Sequence, residues 1–519
     1  MEKIVENYNG FKKNRRIAVI GAGISGIAAA HVLKKNGYET VVFERSTEIG
    51  GVWTEAYPKV RLQNISSQYH ISDFPWPFTP DFNPTALQVV QYLRAAVNTF
   101  QIDVRLKHEV FALEEQEDGW RVRFQNNDGC HEETFEYVLV AVGHYTQKKH
   151  RPTFPGEAEF IGKVVTALDI KSLDIFNDKH VAVVGFGKSA IDMAVFAAQR
   201  GQQIHHVFRT PRWLVPQKIL GFHYTYALFN RINSAMIPSW AHPTIAERFL
   251  HTRLNFIVSG FWSLIEFILR LQIQRIGFGK GQSAASRLKA IQPTHSLVPD
   301  LRAATAIAPD AYYRFVAEGR IQPHHAQLSG FSRETIKLEQ GEEIHCDVVV
   351  LSLGSQTPVF PFLPEKYRHL LEVQKDGVQL YRHLIHPRIP NLAFVGFNHG
   401  FLHVPAVEIS TLWLSAYLEG ELELPSVEKM EQDIEEVRQW KNAYIHFEPA
   451  RGCGVNVRCQ KYIDILLQDL EVSSYRKMPN IFAEIFERYN CSDYKNVFEE
   501  YNRNKTSRTT PLHPLAIPT

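Results

Sequence analysis

Two glycine-rich runs carry the residues best placed to do chemistry. The first, Gly21-Ala22-Gly23-Ile24-Ser25-Gly26, follows the apolar run Arg16–Ile20 and opens the Ala-rich segment Ile27–Leu33. In a strand–turn–helix of this kind the first glycine permits a tight turn and the second lets backbone approach a pyrophosphate. The third lets the helix pack on the strand. The phosphates sit at the helix N-terminus, where unpaired N–H groups and the helix dipole favour an anion. Glu39–Phe43 reads as the next strand and ends in Glu44, 23 residues after Gly21. That is near the spacing of about 20 expected of a carboxylate that holds a ribose hydroxyl. A diglycine turn follows at once, Gly50-Gly51 with Val52 and Trp53. A second glycine turn just after the acidic strand favours FAD as the dinucleotide.

The second run is Gly185-Phe186-Gly187-Lys188-Ser189-Ala190, after the strand-like His180–Val184 and before the helical stretch Ile191–Gln199. Alanine at the last position still allows close helix–strand packing. The strand that follows, Gln203–Phe208, ends in Arg209 with Arg212 close behind, so Arg209 stands where Glu44 stands in the first unit. A guanidinium there pairs with a 2′-phosphate, which a carboxylate would repel. NADPH is therefore expected rather than NADH. Two loops of opposite charge type predict electron flow from NADPH to FAD.

The elements that must position these loops are legible in outline. Tyr137–Gly143 and Cys346–Gly354 are further strand runs, ending on Gly143 and Gly354. They read as the chain leaving and re-entering the FAD domain, with the NADPH domain inserted between. Asn391–Asn398, which carries Gly396 and Asn398, reads as a last short strand, with a helix expected to begin near Pro405 and to face the flavin. The expected fold class is α/β, with two Rossmann-like dinucleotide-binding domains, the second inserted into the first, and helical additions. The expected spans are 1–165 and 331–425 for FAD and 166–330 for NADPH, with a helical insertion at about 217–289. A helical region over 426–502 and a disordered tail over 503–519 complete the division. The aromatic-rich stretch Gln217–Lys289 reads equally as a lid over the flavin or as packing.

Composition removes several other classes. The 519 residues hold 57 basic and 55 acidic side chains, and the net charge of +2 gives no footprint for nucleic acid. The five cysteines form no C-x-x-C pair, which argues against zinc ribbons and dithiol redox centres. Cys453 and Cys459 read as a coincidence, and the pairs His205-His206 and His324-His325 as solvated or strand-end residues without a third ligand. No metal is expected. Met1–Arg16 lacks the apolar core of a signal peptide. Leu254–Leu269 offers only twelve uncharged residues between Arg253 and Glu266, short of the roughly 20 needed to cross a bilayer. It reads as an internal or interfacial helix, and a cytoplasmic location is expected. The sequence leaves the oligomeric state open.

Taken together, GAGISG, EIGGVW, LQNISSQYHISDFPWP, FPGEAEFIGKV, GFGKSAID, FPFL and NLAFVGF resemble the flavin-containing monooxygenases over about Arg16–Tyr494. STLWLSAYLEGELELPS is most similar to the plant branch, which includes N-hydroxylases. The resemblance implies that NADPH reduces FAD and that a C4a-hydroperoxyflavin formed with O2 oxygenates a small nucleophile at nitrogen or sulfur. It also implies that Asn64, in LQNISS, is the active-site asparagine beside the flavin. One departure stands out: the family's Phe-x-Gly-x-x-x-His fingerprint reads here Phe160-Ile-Gly162-Lys-Val-Val-Thr166, and Ile170 takes its closing aromatic position. This departure disfavours Baeyer–Villiger oxidation of a ketone, the first alternative. The other is an NADPH oxidase or redox-responsive binding module that makes no oxygenated product.

Overall fold

A computed structural model describes residues 15–143, 149–237, 243–303, 305–356, 358–371, 376–446, 454–456, 458–508 and 510–515. Two parallel sheets organise it. The first takes β1 (Arg16–Ile20), β2 (Glu39–Glu44), β3 (Asp103–Leu106) and β4 (Tyr137–Val140). The second takes β5 (Lys163–Thr166), β6 (His180–Val184), β7 (Gln203–Phe208), β8 (Ile321–His325) and β9 (Val348–Leu351). The chain then returns to the first sheet with β10 (Leu392–Phe394). The spatial orders are β10-β4-β1-β2-β3 and β8-β7-β6-β9-β5, and every pairing in both sheets is parallel. The fold is α/β, with two Rossmann-like units and the second inserted into the first. Strands covered on both faces read as unbroken apolar runs, which is why IAVI, VAVV and VVVL are so plain in the sequence.

Six helices matter for the site and its surroundings: α1 (Ile24–Lys35), α2 (Ala86–Phe100), α3 (Lys188–Ala198), α4 (Asn255–Ile276), α5 (His403–Leu418) and α6 (Cys459–Asp469). A capping box fixes the start of α2, with Thr85 accepting from the Gln88 amide while the Gln88 side chain accepts from Thr85. By contrast, α5 is apolar nearly all round and buried, packed between α1 and α6 in the core of the first domain. Its first residue is His403, close to the expected Pro405. Each sheet also carries a three-stranded antiparallel addition, Glu109–Phe135 on the first and Leu328–His345 on the second.

Three expectations need correction. Cys346–Gly354 does not re-enter the FAD domain, because Val348–Leu351 pairs with β6 on one side and β5 on the other, inside the second sheet. Four buried aliphatic residues suit either sheet equally, so the run itself holds no address; re-entry comes at β10. The stretch 503–519 is no disordered tail where it is described: a helix runs through Val497–Ser507. Leu512 is buried beside Leu422, and the Leu515 amide donates to Asp469 at 2.8 Å. An extended segment with two anchoring leucines shows no period to read. Finally, His205 and His206 are buried strand residues rather than solvated ones. Among the described residues no cluster could hold a metal, and Cys453 lies outside them.

Candidate active site

Two glycine turns press against each other at the carboxyl end of the first sheet. Gly21 has φ of +111°, and a Cβ on it would stand 2.6 Å from the Ala141 carbonyl. A Cβ on Gly26 would stand 1.9 Å from the Gly21 carbonyl, and one on Gly51 3.1 Å from the Gly23 Cα. A side chain at Gly21 or Gly26 would collide with backbone, so the turns can close against the N-terminus of α1 only as glycines. Glu44 lies where its spacing placed it: one carboxylate oxygen accepts the Ala22 amide and the other the Ser46 amide, both at 2.8 Å. Each oxygen keeps a further lone pair for a ribose hydroxyl. Beside them the Trp53 indole donates to Tyr69 at 3.0 Å, while Val52 sits in the short helical turn with Gly51.

The return strand β10 completes this site. A Cβ on Gly396 would stand 2.4 Å from the Ser25 hydroxyl oxygen, and that hydroxyl lies 2.8 Å from His403 Nε2 at the start of α5. His403 Nδ1 is buried without a hydrogen-bond partner, and the buried Asn398 amide has at most the Tyr462 hydroxyl to satisfy it. Burial pulls the His403 imidazole down to about 4, so it is neutral at physiological pH. Orphaned polar atoms of this kind are costly unless something supplies partners. Together with the glycine cradle they fit FAD. No local spacing signals His403, whose partner lies 378 positions away.

The second loop repeats the geometry. Gly185 has φ of +122°, and a Cβ there would stand 2.3 Å from the Ser352 carbonyl. His206 Nε2 donates to the Gly185 carbonyl at 2.7 Å, and His206 Nδ1 accepts from the Tyr312 hydroxyl at 2.8 Å. This histidine therefore holds the turn. Around Gly187 the space is open, and Ala190 is fully buried against its sheet. Ser189 is half-buried one residue before it. Lys188 does not extend outward, since its ammonium lies 2.5 Å from both oxygens of Asp192, one helical turn on. Asp192 also accepts from the Tyr57 hydroxyl at 2.8 Å, which ties the first domain to α3. Arg209 is exposed at the end of β7, and Arg212 stands 3.9 Å from Asp300. Gly143 and Gly354, both at positive φ, end their strands at the same edges. This strand end fits the adenosine 2′-phosphate of NADPH.

A cleft of about 590 Å³ lies between α3 and the segment 59–85, lined by Arg61, Gln63 and Asn83 on one side and Lys188 and Asp192 on the other. Asn64 stands at its edge, where three parts of the chain meet. Its amide donates to the Phe401 carbonyl just before α5, and its own carbonyl accepts from Asn83 at 3.0 Å. The Tyr224 hydroxyl donates to the Gln63 carbonyl, and Gln63 Oε1 accepts the Ile307 amide at 2.8 Å. Phe229 packs on Phe401 with ring centroids 4.4 Å apart. Tyr224, Phe229, Trp262 and Leu269 all belong to one buried cluster, so this part of Gln217–Lys289 packs as core, with the Tyr224 hydroxyl reaching the chain beside Asn64.

The fingerprint departure has a local explanation. Thr166 ends β5 and donates its hydroxyl to Asp169 at 2.8 Å, and its backbone amide reaches the same oxygen at 2.7 Å, closing a short helical turn. Ile170 is buried beneath that turn.

The family described as flavin-binding monooxygenase-like matches residues 14–263 and 315–486, and the chain belongs to it. It is an NADPH-dependent flavoprotein monooxygenase, with FAD and NADPH as its cofactors. The probable flavin-containing monooxygenase 1 of Arabidopsis thaliana is 28% identical, covering 96% of this chain and 99% of its own length. In fold the chain is similar to S-allyl-L-cysteine S-oxygenase from Allium sativum (TM-score 0.61, 20% identity, 95% and 94% of the two chains covered). It is also similar to a cyclohexanone monooxygenase in its open form (TM-score 0.65, 18% identity, 88% and 97% covered).

Proposed function

We propose that this monooxygenase oxygenates a nitrogen or sulfur nucleophile of a small molecule, at the cleft edge marked by Asn64. Bound FAD, reduced by NADPH, supplies the activation of O2. The chain's own residues do the rest. Gly21, Gly23, Ser25, Gly26, Glu44, Gly51, Gly396, Asn398 and His403 hold the flavin nucleotide, and Arg209 reads the 2′-phosphate of NADPH. Asn64 offers an amide to the reacting edge, and Tyr224, Phe229 and Phe401 exclude water from it.

The observation that carries this reading is the environment of Asn64. Among the described residues, the side chains bonded or packed to Asn64, Gln63 and Phe401 are an amide, a phenol, an aromatic ring and the Cys459 thiol. The cleft carboxylate, Asp192, is engaged by Lys188 and Tyr57. A site whose carboxylate is already engaged suits a substrate that is itself nucleophilic, such as a thioether or an amine. The test is Asn64→Ala with a panel of sulfides, amines and ketones and product mass as the readout. The expected result is S- or N-oxide from the parent enzyme and about 10- to 100-fold less of it from the variant, the scale of one lost hydrogen bond to a charged group. Esters or lactones from ketones, or unchanged product and peroxide release in the variant, would contradict the proposal.

A further inference from the structure

The outward face of α4 is apolar and uncovered. Phe256 is 71% exposed, Leu264 56%, Phe267 62% and Phe278 91%. Their spacing along and just past the 22-residue helix puts them on one side of it. The other side, with Val258, Trp262, Leu269 and Ile273, is buried. By length and composition alone the helix could cross a membrane. Yet its inner face is anchored to the protein: Glu266 accepts the Leu297 amide at 2.7 Å, and the Arg270 guanidinium lies over the Trp213 ring. This helix lies along the surface.

Charge identifies what covers the face. Residues 243–290 hold seven basic and two acidic side chains. Arg270 lies over Trp213, Arg287 bonds the Val316 carbonyl and Lys280 pairs with Glu318, which leaves Arg253 and Arg275 as the cations beside the face. Both acids are turned inward: Glu247 pairs with Arg458 and Lys461, and Glu266 is engaged as above. Arg253 and Arg275 are exposed near the two ends of the apolar stripe. An apolar stripe flanked by cations, with its acids withdrawn, complements an anionic lipid surface. A second copy of the same face would bring like charges together instead.

We propose that α4 docks the protein on an anionic lipid surface, with Phe256, Leu264, Phe267 and Phe278 entering the headgroup–acyl boundary. The buried side of α4 belongs to the same packed cluster as Tyr224 and Phe229, so the docking face and the wall of the active site are two sides of one unit.

The experiment is co-sedimentation of the full-length FAD-loaded protein with phosphatidylcholine vesicles, with and without phosphatidylserine. Binding is expected only to the phosphatidylserine vesicles and should fall as salt rises. Arg253→Gln/Arg275→Gln should weaken it by about 10- to 30-fold, and Phe256→Ser/Phe267→Ser by about tenfold or more. These residues lie on the surface, so FAD content and NADPH oxidation in buffer should stay as in the parent and serve as the folding control. Absence of binding at low salt, binding that neither double variant weakens, or a dimer that the phenylalanine variant dissolves would overturn the proposal.

Discussion

Arg209 and Glu44 occupy equivalent places in two strand–turn–helix units, and their opposite charges separate the two nucleotides. Arg209→Ala is expected to raise the KM for NADPH by about 10- to 100-fold while leaving NADH kinetics nearly unchanged, the scale of one charge-assisted hydrogen bond. Steady-state kinetics with both nucleotides check this, and an unaltered preference would pass the role to another group such as Arg212. Glu408 carries a different prediction. It is half-buried in α5, where it accepts from the Ser72 hydroxyl at 2.6 Å and the Ser72 amide at 3.0 Å. Burial raises its carboxyl from the ordinary 4.5 to about 8, against the pull of those donors. Between these pH values the folded chain holds a proton that the unfolded chain has released, so this group's contribution to stability falls as pH rises through the window. Thermal denaturation across it should show a shallower decline for Glu408→Gln than for the parent. At this scale the glycines, Glu44 and Arg209 were legible because their work depends on local spacing. His403 was not, since its partner Ser25 lies 378 positions away, and His206, only 21 positions from Gly185, sits inside an apolar strand run where nothing marks it as facing the turn.

The fingerprint segment shows what elements add to motifs. Gly162 is required by packing: a Cβ there would stand 2.5 Å from both the Asp347 carbonyl and the Phe160 ring. β5 pairs with β9 from Lys163 only to Thr166, and there Thr166 with Asp169 turns the chain. Thr166→Ala is expected to cost about 1 kcal/mol, the usual loss for a helix cap, and Thr166→Ser to restore most of it. Urea unfolding of the FAD-loaded protein measures both, and equal stability of parent and Thr166→Ala would remove the capping role. Element identity was readable wherever a run was long and apolar. Sheet membership was not: β9 and β10 are both short buried runs, and only their pairing partners, β5 and β6 for one and β4 for the other, assign them. The extended segment around Leu512 escaped notice for the same reason, because its two anchoring contacts are made with Leu422 and Asp469 and leave no period behind.

At the scale of the whole molecule, the two nucleotide units meet across the cleft through Tyr57 and Asp192, and the helical insertion closes over Gln63 and Asn64. Burial, with Asp192 second, holds the Tyr57 phenol well above its ordinary range, so it remains the proton donor in that contact. Neither contact could be foreseen from spacing, since each joins segments more than a hundred residues apart. Their effect is to hold α3, with the second glycine loop at its start, and the helical insertion against the segment that carries Gln63 and Asn64, and the proposed oxygen transfer is set at that edge. The most direct test of that account is turnover of the full-length FAD-loaded protein with NADPH, a thioether or amine substrate and 18O2. The account predicts one 18O atom in the sulfoxide or hydroxylamine product, formed in step with NADPH consumption. Unlabelled substrate, with all of the NADPH recovered as hydrogen peroxide, would contradict it.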